Sequence, residues 1–455
     1  MKTSVSHLAV LLSAILLSSL FPSEPALAQG CPTPSFGPAR TFAAGINSIS
    51  VAVGDFNGDG KADLIAVNEG TNAGSVSVLL GNGDGTFQAP VNYATGAPIS
   101  YSVALGDFNA DGSLDVAVGN FGALQNIPVS VLLGNGDGTF QPADFYEPED
   151  ISSYSVTVGD FDGDGNLDLV TVDGFNWVWV LLGNGDGTFQ AAVKYVVGAR
   201  CTSVAVGDFN GDGKPDLAVA DYVSTNLWVL LGNGDGTFQA PIGYAAGTFA
   251  EFVAVGDFND DGKSDLAVAL RYSGVSVLLG NGDGTFQTAL FSPLGNGDDI
   301  LSVAVADFNG DGKPDLAVPD ALSTNLWVLL GNGDGTFQTA VSYGAGSRPR
   351  VVAVGDFNGD GKPDLAVANN LTAGYVSVLL NTCSSIGPDI SITRTNFTIT
   401  LAWPFPSTGF LLESTPTLSP PNWQPAVEAP LTNNGLLEVM VPVNPGSRYF
   451  RLHKP

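Results

Sequence analysis

The sequence predicts an all-β chain: a ring of seven four-stranded sheets, a β-propeller closed by its own N-terminal strand, followed by a small β-sandwich. Three observations lead there. The acidic hexapeptide DFNGDG, or a close variant, recurs seven times, at Asp55, Asp107, Asp160, Asp208, Asp257, Asp307 and Asp356, at intervals of 48 to 53 residues. A strand-rich period near this length is that of one propeller blade. The 455 residues include 58 glycines, and only 13% are charged, so short strands between Gly and Asp turns are favoured over helices.

Residues 1–28 read as a secretory signal, with Lys2 near the start, an apolar run from Leu8 to Phe21, and Ala26-Leu27-Ala28 as a small-residue cleavage site. The apolar run is too short to span a membrane, and no later stretch approaches about 18 apolar residues. The expected mature protein is therefore exported, secreted or held at the cell surface, without membrane insertion, and monomeric. Lipidation of Cys31 is disfavoured by the poor fit of Gln29 to the lipoprotein signal. The formal charge is −29, from 45 acidic residues against 16 Lys and Arg. Nucleic acid is excluded as a partner on that balance, because binding phosphates needs clustered basic residues; cations are favoured.

The propeller is expected over residues 29–387. Each unit runs in the same order: a strand such as Ser203-Val204-Ala205-Val206-Gly207, the acidic loop, a second strand (DLAVA), a variable loop, a third strand (VSVLLG), the turn GNGDG, and a fourth strand (TFQAPVNYATG). The first strand alternates large with very small residues, which suits the crowded axis of a ring. The third carries Ser77, Ser130, Ser276 or Ser377 in some units and Trp179, Trp228 or Trp327 in others, as expected of filling between neighbouring sheets. The seventh unit breaks off at Leu379-Leu380-Asn381, without the turn and fourth strand. Ser35 to Gly45 resembles the missing strand, and pairing it there would close the ring and remove two open edges. Cys31 lies just before that segment and Cys383 just after the break, so a disulfide between them is expected in an exported protein. Cys201, whose counterparts are small residues, is expected to be a buried, inert thiol.

In every acidic loop, positions 1, 3, 5 and 9 carry oxygen-bearing side chains, position 6 is Gly, and position 7 offers a backbone carbonyl. The seven sets are Asp55, Asn57, Asp59, Lys61 and Asp63; Asp107, Asn109, Asp111, Ser113 and Asp115; Asp160, Asp162, Asp164, Asn166 and Asp168; Asp208, Asn210, Asp212, Lys214 and Asp216; Asp257, Asn259, Asp261, Lys263 and Asp265; Asp307, Asn309, Asp311, Lys313 and Asp315; and Asp356, Asn358, Asp360, Lys362 and Asp364. Hard oxygens at alternate positions around a sharp turn are what Ca²⁺ requires, whereas Mg²⁺ prefers tighter octahedral sites that retain water. Position 12 is never acidic, so these are not EF-hands. Up to seven Ca²⁺ are expected, which would roughly halve the formal charge of −29. The GNGDG turns lack further acids and read as hairpin chemistry.

With these loops in view, the run from about Ser35 to Cys383 resembles the FG-GAP/VCBS repeat family, and the loops look like the calcium loops of integrin alpha-subunit propellers. The resemblance implies a seven-bladed propeller with calcium between the first and second strands, on the face opposite the one that binds ligand. That second face is built from the loops after the second and fourth strands, where the units differ most. Rigid scaffolds usually carry recognition on such loops. Tyr222, Arg271, Tyr272, Arg348 and Arg350 are the aromatic and basic candidates there, and Glu147, Glu149 and Asp150 the acidic ones.

The expected function is a calcium-binding extracellular recognition or adhesion module for a glycan or a protein. The alternative is a calcium-dependent polysaccharide lyase or glycosidase, but the chain has only two His, one of them in the signal, and no G-x-S-x-G motif. No catalytic residue is expected. From residue 388 to 455 the period stops, and alternating strands with Pro-rich turns suggest the small β-sandwich, faintly resembling fibronectin-III-like modules, with Trp403 and Trp423 in its core.

Overall fold

The computed structural model describes residues 31, 33–70, 74–121, 129–146, 152–295, 298–371 and 374–383. In the C-terminal region it describes 391–394, 398–404, 411–415, 424–425, 431–433, 436–442 and 449–453. The expected signal, Glu147, Glu149, Asp150 and Trp423 lie outside the described residues, as does the side chain of Trp403. The chain divides into two compact units, Pro34–Phe308 with Lys313–Thr382, and Asn309–Gly312 with Cys383–Pro455 and the N-terminal segment to Thr33.

The first unit is the propeller. Blade 1 is an antiparallel meander of Ser48–Gly54, Asp63–Asn68, Ser75–Leu79 and Val91–Ala94, and the next five blades repeat it. Blade 7 departs from the pattern as the sequence requires: Pro349–Gly355, Asp364–Asn369 and Tyr375–Leu379 are completed by Arg40–Ala43 from the other end of the chain. The register there pairs Arg40 with Val378 and Ala43 with Tyr375. No sheet of the ring is left as three strands with an open outer edge.

The innermost strands pack on one another around the axis, and the second strands, such as DLIAVN and DLAVAD, are buried along their whole length. A strand covered on both faces reads as a continuous apolar run, which these do. Trp179 is buried between blades 2 and 3, and Trp228 and Trp327 pack at the edges of neighbouring clusters, so the third-strand tryptophans serve packing. The third-strand serines have a second duty. Ser77, Ser130 and Ser377 each accept a hydrogen bond from a buried Asn side chain ending the second strand, Asn68, Asn120 and Asn369.

Adjacent blades are joined by one device repeated around the ring. The last Gly of each GNGDG turn donates its backbone N–H to the carbonyl of the Phe that follows the first Asp of the preceding blade's acidic loop, as Gly138 does to Phe56 at 2.9 Å. The Phe of GTF packs edge-to-face on that same Phe, with ring centroids of Phe56 and Phe140 5.6 Å apart. Such pairs add about 1 kcal/mol each beyond area burial. Blade 7 lacks the turn, and two substitutes fill its place. The Asn381 side chain donates to the Phe308 carbonyl at 2.9 Å, and Phe36 from the N-terminal segment packs on the Phe308 ring at 5.7 Å.

In the second unit, Cys31 and Cys383 form a disulfide with Cα atoms 6.1 Å apart. The bond joins residues on either side of the sequence break that the N-terminal strand bridges. Cys201 is free and fully buried, and burial pushes its thiol up to about 12. The C-terminal residues form a four-stranded and a three-stranded antiparallel sheet, with Leu401, Leu412 and Val439 buried.

Candidate functional site

Two faces of the ring carry chemistry, and each is built from chain turns at opposite ends of the same strands. The acidic loops occupy the end where the innermost strand passes to the second. In the first loop, Asp55 accepts the N–H groups of Asp59 at 3.1 Å and Gly60 at 2.8 Å, which curls the backbone around its carboxylate. Position 4 takes a left-handed conformation in this turn, so most loops place Gly there; Ala110 and Asp260 hold the same conformation at φ of 57°. Asp59 takes the Lys61 ammonium at 3.0 Å, and that hydrogen bond holds its carboxyl below the ordinary range.

The aspartate at position 9 has a different setting. Asp63 is fully buried and accepts the N–H of Phe56 at 2.9 Å and of Gly81 at 2.6 Å, so one carboxylate ties the acidic loop to the GNGDG turn. The same pair of bonds recurs in every blade; in blade 7 Asn381 replaces the turn glycine. Burial outweighs these bonds and pushes Asp115, Asp168 and Asp364 up to about 6, the nearby loop aspartates adding to the rise. The turns themselves are closed internally, with Thr86 donating to Asp84 and Asn82 to Thr86, which bears out their structural reading.

The donor set is oxygen throughout, and in the third loop one carboxylate oxygen from each of Asp160, Asp162 and Asp168 lies within 4.8 Å of the others. Oxygens this close, with burial already disfavouring charge on Asp162 and Asp168, fit a hard divalent cation.

A sequence profile for the FG-GAP-like repeat matches residues 55–118, 107–171, 160–219, 208–268, 257–318 and 320–367, and one for the FG-GAP repeat matches 301–336. The chain belongs to the FG-GAP repeat family. No curated protein sequence matches it. Among solved structures, the FG-GAP ring is similar to BBS1N in complex with ARL6DN. A mercury-soaked crystal gives 14% identity, 76% of this chain and 97% of that one covered, and a TM-score of 0.52. A lead-soaked crystal gives 15%, 76%, 96% and 0.50. It also matches an Agrocybe aegerita lectin described as recognising non-reducing terminal N-acetylglucosamine, at 23% identity, 74% and 86% coverage and a TM-score of 0.48. At these identities the likeness is one of fold.

The opposite face of the FG-GAP ring is irregular. Of the five arginines between residues 34 and 382, four, Arg200, Arg271, Arg348 and Arg350, fall on this face. Tyr222, Arg271 and Tyr272, three of the residues singled out in the sequence, come together. The Arg271 guanidinium lies over both rings, at 5.9 and 5.5 Å, and Arg200 covers Tyr222 at 4.6 Å. Phe249 completes the group, 5.3 Å from Tyr222 and 5.5 Å from Tyr272 between ring centroids. It is 41% exposed and holds a left-handed backbone at φ of 61°, a strained setting for an aromatic residue. Arg271 is fixed from behind by two hydrogen bonds to Asp299, the longer 3.3 Å, and by Glu251 at 3.8 Å. Arg348 stands apart, exposed, with its backbone left-handed beside Pro349.

Arg350 belongs to a neighbouring feature that the sequence reading passed over. The residue six places before the first Asp of each acidic loop lines one cavity of about 550 Å³ on the axis: Ile49, Tyr101, Tyr154, Thr202, Glu251, Leu301 and Arg350. Next to stretches that read SVAVGD or a close variant, this position changes most in charge and size from blade to blade, and that was the available signal. Arg350 lies 6.0 Å from the Tyr101 ring centre. Burial pushes the Glu251 carboxyl up, against the attraction of Arg271, Arg350 and Arg200.

Proposed function

We propose that this chain is an exported, calcium-stabilised recognition module. Each acidic loop holds one Ca²⁺ through its carboxylates, the Asn side chain and a backbone carbonyl, and the irregular face binds an extracellular glycan or protein. The ion supplies positive charge where aspartates crowd, and the chain's own contribution is to fix the donors through the N–H bonds to positions 1 and 9. Export is supported by the signal-like N-terminus and the Cys31–Cys383 disulfide. Among the described residues no helix is long and apolar enough to cross a membrane.

The observation that carries the recognition reading is the Tyr222, Phe249, Tyr272 and Arg271 cluster. Partly exposed aromatic rings beside guanidiniums, on a protein of formal charge −29, form the kind of group that dominates binding surfaces. The test is binding of calcium-loaded protein to arrays of extracellular glycans and matrix proteins. Selective binding that is lost in Tyr272→Ala, without release of shortened products, is the expected result. Binding unaffected by substitutions on this face would overturn the assignment, and product release would replace it with an enzyme.

A further inference from the structure

The axial cavity gathers groups that the recognition surface does not use. Glu251 stands at its rim, and its Oε2 atom is buried without a hydrogen-bond partner among the described residues. A buried carboxylate oxygen in that state costs free energy unless a donor reaches it. Arg271, already held by Asp299, approaches to 3.8 Å, beyond hydrogen-bonding range. Arg350 lines the cavity from another blade with its guanidinium 6.0 Å from the Tyr101 ring centre, and Arg200, over Tyr222 and not part of the lining, adds to the positive charge acting on Glu251. Neither guanidinium donates a hydrogen bond to a protein group among the described residues. Guanidiniums with open donors, in a molecule carrying few positive charges, form a local reversal of sign that favours an anion.

Three requirements follow for an occupant. It must present a carboxylate, the planar partner that a guanidinium binds with two parallel bonds. It must also donate at least one hydroxyl to Glu251 Oε2. Finally, it must offer C–H surface to the rings of Tyr101 and Tyr154, which line the cavity with centroids 4.8 Å apart and planes tilted by 35°. A cavity of about 550 Å³ is of the size that holds a small ligand.

We infer that the axial cavity binds the terminal hexuronate of an acidic glycan, its carboxylate held by Arg350 and one of its hydroxyls donating to Glu251 Oε2. This deepens the recognition reading and rests on it. The test is calorimetric titration of the full, calcium-loaded chain with a disaccharide ending in glucuronate. The control is the same disaccharide with that carboxyl reduced to the neutral sugar. The acid should bind at least about tenfold more tightly, the effect of one charge-assisted pairing, and Arg350→Gln should remove the preference at unchanged melting temperature. If Arg350→Gln fails to fold, Arg350→Met, which keeps the side chain's length and apolar stem, carries the same expectation. Equal or tighter binding of the neutral disaccharide would overturn the hexuronate assignment and leave recognition standing. Failure of both disaccharides would overturn it too. Recognition itself falls only if array binding also survives Tyr272→Ala.

Discussion

The two faces of the ring come from the same seven units and follow opposite rules. On the acidic face, each blade repeats the same donors and the same bonds, down to the pair of N–H groups on the position-9 aspartate. On the other face, the loops differ in charge and aromatic content, and Glu251 keeps an oxygen with no hydrogen-bond partner among the described residues. Repetition marks positions where every unit must make the same contact with its neighbour. Divergence marks positions released from that duty, and there the chain tolerates a strained Phe249 and a half-satisfied acid, features that add nothing to stability.

The seventh blade is where repetition fails, so breaking its substitutes should have the largest effect. Cys383→Ser opens a loop of 352 residues and should cost about 6 kcal/mol in the chain-entropy description of disulfides, read as a lower denaturant midpoint. On the acidic face, Asp216→Ala strands the buried N–H groups of Phe209 and Gly232 and should cost about 4 kcal/mol, at about 1–3 for each unsatisfied group. The counterpart on the irregular face, Tyr272→Ala, should change stability by less than about 0.5 kcal/mol while abolishing binding. A Tyr272→Ala loss as large as that of Asp216→Ala would erase the distinction between the faces.

A subtler contrast lies in pH. Asp115, Asp168 and Asp364, held up at about 6 by burial, keep their protons in the folded, metal-free chain after the unfolded chain has lost them. Their contribution to stability is therefore present below the free carboxylate range near pH 4 and is lost as pH rises through about 6. Metal-free protein should weaken across that window. Calcium requires the ionised carboxylates, so its stabilising effect should grow over the same window; melting curves with and without calcium at successive pH values would show the two trends diverging.

Much of the fold was legible because it is written seven times. The blade count, the missing turn after Leu380 and the resemblance of Ser35 to Gly45 to an outer strand together specified closure, and the cysteines flanked the same gap. The role of GNGDG was legible only in part. Its hairpin chemistry is local, but its bond to the preceding blade's Phe carbonyl joins residues distant in sequence. Tyr222, Arg271 and Tyr272 could be chosen as loop aromatics and cations. Phe249, Arg200 and Asp299 could not, because their significance comes from three blades meeting. Arg350 was chosen as a loop cation but sits, like Glu251, within a strand, where an inward-facing charge has no periodic mark except its difference from Ile49 or Leu301 at the matching position.

The account depends most on the acidic loops being cation cages, and calorimetric melting of one preparation after chelation and again after calcium is restored tests that directly. Each site loaded at a hundred times its dissociation constant adds about 2.7 kcal/mol, so the melting temperature should fall steeply on chelation and recover with calcium. An unchanged melting temperature, with no heat of ion uptake, would contradict it.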